Sequence, residues 1–147
     1  QSRPGENWGN SSPEDVVRRS VYIHIKRSLP VPIMQSFDVA DTDSSCPVRF
    51  NTVQPTQALG MLNSQFVNDE AERFAKQVVE EVPGDLAGQV ALILSRVMQR
   101  QPTAVEVQQG VDFVRAVDPQ EVKDPNLGPL KLFCVVALNL NEFIYLD

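Results

Sequence analysis

From residue 56 onward, apolar positions recur at helical spacing. Val67, Ala71, Phe74, Ala75, Val78 and Val82 form one stripe, and Leu86, Val90, Ile93, Leu94 and Val97 form another. Ser64 is placed to cap the first of these helices, and Pro83-Gly84-Asp85 to end it. Thr103-Ala104-Val105-Glu106 has the capping-box pattern. It predicts a helix carrying Val107, Val111, Phe113 and Val114 and stopping before Pro119. Pro129 opens a segment that is apolar nearly all round (Leu130, Leu132, Phe133, Cys134, Val135, Val136, Leu138), a pattern expected in the middle of a core. A short helix over Gln57–Leu62 precedes these, and a polar loop over residues 118–128 separates the last two.

The first third reads differently. Residues 1–13 are a tail rich in Gly, Pro, Ser and Asn, pinned by Trp8, and Ser12-Pro13-Glu14-Asp15 is a helix start. Val21, Ile23 and Ile25 alternate with Tyr22, His24 and Lys26, which predicts a strand with one buried face. Val17, Val21 and Ile25 also fit a helical stripe, and the strand is the preferred reading. Pro30 and Pro32 stop regular structure, and residues 38–56 are an irregular connection in which Arg49–Val53 is a second short strand to pair with the first. The expected fold is therefore mainly α: a helical bundle of four to five helices with an irregular N-terminal third that admits a short two-stranded β element. The expected division is 1–17, tail and short helix start, and 18–147, the body of the domain.

Composition changes this picture little. Of the 147 residues, 42% are hydrophobic and 22% charged, as in ordinary globular chains. Net charge is −6. Residues 1–50 balance six acids (Glu6, Glu14, Asp15, Asp38, Asp41, Asp43) against six bases (Arg3, Arg18, Arg19, Lys26, Arg27, Arg49), so the excess negative charge falls entirely after residue 50. This argues against nucleic acid as a partner. The most hydrophobic run, Leu130–Leu140, is too short to span a membrane. A start at Gln1, without an initiator methionine, reads as a piece of something longer.

Four blocks of residues resemble a known family. The first is Arg19-Ser20-Val21-Tyr22 with Lys26-Arg27-Ser28, Pro30, Pro32 and Phe37-Asp38. The second is Cys46-Pro47-Val48-Arg49 with Thr52, Pro55, Gln57-Ala58-Leu59 and Leu62-Asn63. Arg100, Pro102-Thr103 and Glu106 make the third, and Asn139-Leu140-Asn141-Glu142-Phe143 the fourth. From Arg18 to Asp147 the chain resembles the planctomycete-specific domain of unknown function at the C-terminus of planctomycete cytochrome-c-type proteins. The resemblance implies a large, exported (periplasmic or extracellular) multidomain parent, with haem c on another domain and sometimes a lectin-like sandwich. It also implies a family domain longer than this chain, whose N-terminal half lies upstream. It brings no activity with it.

No residue set completes a known chemistry. Cys-x-x-Cys-His is absent, so covalent haem is not expected in this segment, and one His with two distant Cys does not make a zinc site. Asp38, Asp41, Asp43 and Ser45 resemble the first half of a calcium loop, but Cys46 replaces the turn glycine and no glutamate closes it. Capped turns explain the same residues. Cys46, with Arg49 nearby and His24 as the only base of its kind, is a weak nucleophile candidate, and Asp38 joins them as a possible contributor to a site shared with the upstream half. Arg19, Tyr22, Lys26, Arg27 and Arg49 are the candidate ligand-binding set, suited to acidic or sulfated polysaccharide. Salt bridges to Glu14, Asp15 and Asp38 are the blander account. Asn63, Asn139 and Asn141 are read as helix-end caps. The expected function is a non-catalytic helical module that packs on the upstream part of its own chain, with polysaccharide binding and a shared enzyme site as alternatives.

Overall fold

A computed structural model of the chain describes residues 12–23, 34, 35, 37, 39, 55–118, 120, 122 and 124–144. The chain divides into two compact units, Gln1–Thr52 and Val53–Asp147.

In the first unit, α1 (Pro13–Val16) is capped by Ser12, whose Oγ accepts from the Asp15 amide at 3.2 Å. The residues after it correct the start of the strand expectation. Ser20–Tyr22 is a 3-10 turn, closed by bonds from the Tyr22 and Ile23 amides to the Arg19 and Ser20 carbonyls. Val21 is 72% exposed and Ile23 40%, so neither of these two positions faces a core. Ile23 is extended. His24, Ile25 and Lys26, and the second strand over Arg49–Val53, lie outside the described residues.

The second unit is the expected helical bundle. Among the described residues its helices are α2 (Pro55–Leu62), α3 (Gln65–Glu81), α4 (Leu86–Met98), α5 (Ala104–Ala116), α6 (Gly128–Ala137) and the single turn α7 (Asn141–Ile144). The caps follow the sequence. Ser64 Oγ accepts from the Val67 amide, Asp85 Oδ1 accepts from the Gly88 amide at 3.0 Å, and Thr103 and Glu106 form the full capping box. Gly84, at φ 76°, makes the left-handed turn between α3 and α4 that a β-carbon would disfavour. Gln89, only 8% exposed, donates its side-chain amide to the Val82 carbonyl at 2.8 Å and so satisfies the end of α3 from within α4.

The core is built where the stripes meet. Ala71, Ala75 and Val78 of α3, Val90, Ile93, Leu94 and Val97 of α4, and Val111 of α5 enclose Leu130, Phe133, Cys134, Val135 and Ala137 of α6. The α3–α6 pair is the largest interface, followed by α4–α5 and α5–α6. Small residues on α3 let α6 approach closely, which is why the most apolar helix docks there. Asn63 and Asn139 act as the sequence suggests, donating to the Leu59 and Val135 carbonyls at 2.9 and 2.7 Å.

Cys134 is a free, fully buried thiol, and burial pushes its pKa up to about 12. A neutral thiol with no access to solvent does not react. In a Cys46→Ser background, labelling by a disulfide reagent at pH 8 is expected to proceed at the rate of bundle opening and to accelerate with urea. Fast labelling under native conditions would contradict this burial.

Candidate functional site

A concavity with apolar walls opens between α4, α5, α6 and α7. It has a volume of about 290 Å³. Leu94, Phe113, Phe133, Val136 and Leu140 line it, and Gly110 forms part of its floor. The Phe113 and Phe133 rings meet at 5.9 Å between centroids, tilted by 48°. Phe133 is buried, whereas Phe113 and Val136 are 38% and 39% exposed. Leu132, one turn before Val136 on α6, is 38% exposed. The helix expected to be enclosed on all sides thus leaves one apolar flank open.

The groove ends in charge. Arg100, in the link between α4 and α5, donates to both carboxylate oxygens of Glu106 (2.6 and 3.1 Å) and to Glu142 on α7 (3.1 Å). Glu106 also accepts from the Thr103 amide at 2.6 Å. One guanidinium therefore fixes the start of α5 and the position of α7 together. The Arg100 hydrogen bonds, reinforced by the Thr103 backbone and hydroxyl, lower the Glu106 pKa from 4.5 to about 2. Across the bundle, Lys76 and Lys131 do the same for Glu72, which also falls to about 2.

These shifts fix the sign of a pH effect. A carboxylate whose folded pKa is depressed adds stability that is fully present above about pH 4.5 and lost as pH falls through about 2. Thermal melts should show the midpoint falling steadily over that interval, with a shallower fall for Glu106→Gln. An unchanged slope in that variant would mean the Arg100 bridge is not formed in solution.

The residues singled out from sequence fall as follows. Arg19 flanks the 3-10 turn and is exposed, and Tyr22 is 72% exposed. Arg18 pairs with Asp15 at 3.2 Å, as the salt-bridge reading had it. His24, Lys26, Arg27, Asp38, Asp41, Asp43, Cys46 and Arg49 lie outside the described residues, so neither the polysaccharide surface nor the calcium or thiol site is assembled from described residues. Among the described residues, no three of His, Cys, Asp and Glu gather as a metal site, and no helix is long and apolar enough to cross a membrane. What sequence reasoning missed is the Arg100–Glu142 link. It joins residues of the third and fourth resemblance blocks across 42 positions, and no periodicity signals it.

By its architecture, the described part of the second unit belongs to the class of small helical bundles with a surface groove. Over residues 1–114 the sequence matches PSD1, a protein of unknown function (DUF1553), and the chain belongs to that family. The matched stretch ends inside α5, so α6 and α7, which supply half of the groove, lie beyond it. Neither curated proteins nor solved structures give a significant match.

Proposed function

We propose that residues 53–147 act as a non-catalytic helical module that packs its open apolar groove against an upstream part of the larger protein it belongs to. The observation that carries this reading is the apolar flank of α6. Leu132 and Val136 stand one turn apart, each more than a third exposed, and Val136 continues into the groove beside Phe113 and Leu140. Exposed apolar residues scattered singly need no explanation, but a row leading into a groove marks a contact surface. The parent is proposed to be an exported, planctomycete cytochrome-c-type multidomain protein, with any haem c on a separate domain. The ordered sequence blocks and the family membership support that placement.

The test compares this chain with a longer parent that includes the preceding residues. Phe113→Asp and Val136→Asp alter exposed positions and should leave the isolated chain folded, by circular dichroism. In trans, the upstream part should bind the unaltered chain saturably and each variant at least about tenfold more weakly, since a buried unpaired carboxylate is strongly disfavoured. If the upstream part does not bind, or binds all three equally, the docking reading is wrong.

A further inference from the structure

A second cleft, of about 390 Å³, lies between α3, α4, α5 and the start of α6, away from the groove. Its walls include Val79, Leu86, Val114 and Leu130, and its polar groups come from Gln89, Arg115 and Asn126. Arg115 is set apart by having no carboxylate partner among the described residues. Among the described residues of the bundle, Arg73, Lys76, Arg96, Arg100 and Lys131 each hold a carboxylate at 3.1 Å or less. Arg115 holds none, although acids stand three positions away on either side. Asp112 accepts instead from Gln108 and Asp118 from the Gln120 amide, both at 2.8 Å. A guanidinium at the last turn of α5 does complement the helix dipole, but that accounts only for the cation and not for the apolar cleft beside it.

The geometry points to a binding site for a small monocarboxylate with a compact apolar body. Arg115 presents a planar fork of donors that matches a carboxylate. Asn126, also in the lining of the cleft, carries a side-chain amide able to donate. Val79, Leu86, Val114 and Leu130 offer the hydrocarbon a surface to leave water. Gln89, buried and pinned by its bond to Val82, gives the cleft a fixed polar wall. The volume is at the lower end for small-molecule sites, and too small for a folded partner. A bare anion such as phosphate would leave the walls unused, and a neutral hydrocarbon would leave Arg115 unused. The site is independent of the docking groove, and either can fail alone.

Hexanoate is a suitable probe, titrated into the full 147-residue chain and followed by amide and Arg side-chain NMR. The expected result is saturable shifts at Gln89, Val114, Arg115 and Leu130, with hexanol and acetate each about tenfold weaker or worse. Arg115→Gln should weaken hexanoate about tenfold and leave the melting temperature close to unaltered, since this side chain is exposed and holds no carboxylate. Equal response to hexanol would show simple apolar partitioning, and equal response to acetate simple charge attraction. Either result, the absence of saturation, or an Arg115→Gln variant that binds as well as the original overturns the proposal.

Discussion

Truncating Phe133 to alanine is expected to remove about 3 kcal/mol from the stability of the bundle. Phe133 is 6% exposed and belongs to the core cluster at the junction of α4, α5 and α6. Its ring edge reaches over Gly110 and packs on Phe113 at 5.9 Å. Losing it removes the transfer free energy of a buried aromatic, the pair interaction with Phe113, and contacts that the neighbouring helices cannot close over. Because the groove already opens beside this ring, the space left can take up solvent, which places the loss near the low end for such truncations. Urea denaturation should show a lower midpoint with an unaltered m-value. The same truncation at Phe113, 38% exposed, should remove only about 1 kcal/mol. Equal losses at the two positions would mean that the ring pair, and not the core beneath it, holds α5 to α6.

Much of the bundle was legible because each helix carries its own local signals. Ser64, Thr103 and Glu106 cap where their chemistry requires, and the stripes on α3 and α4 bury the residues that their spacing selects. The strand reading failed at Val21 and Tyr22, its described start, for a physical reason. Three alternating residues are too few to separate a strand from an extended segment after a 3-10 turn, and burial, which would decide it, depends on what lies opposite. Composition placed α6 at the centre, which its contacts with α3, α4 and α5 bear out. It could not show that Leu132 and Val136 would stay open, because an apolar residue does not encode which neighbour covers it. The Arg100–Glu142 bridge and the lack of a carboxylate partner for Arg115 among the described residues are invisible to periodicity for a related reason. Each depends on which side chains meet, or fail to meet, once the helices have packed.

Gly110→Ala is expected to destabilise the bundle by about 2 kcal/mol, against the usual direction of this change. In a helix interior, alanine is favoured over glycine by roughly 0.5–1 kcal/mol, because glycine loses more backbone freedom on folding. Gly110 lies buried within α5, so its retention needs another cause. A β-carbon there would stand 2.5 Å from Val90 Cγ1 and 2.8 Å from Phe133 Cζ. Both neighbours are buried side chains from different helices. One added carbon therefore pushes α5 away from α4 and α6 together, and overpacking of this kind typically costs about 1–3 kcal/mol. That exceeds the gain in helix propensity. Gly60 on α2 supplies the opposite case, since a β-carbon there meets nothing within 4 Å. Gly60→Ala should stabilise by about 0.5 kcal/mol. Opposite signs in paired thermal melts would show that helix contact, and not backbone preference, keeps glycine at position 110. A stabilising Gly110→Ala would mean that α5 sits further from α4 and α6 than these approaches of 2.5 and 2.8 Å.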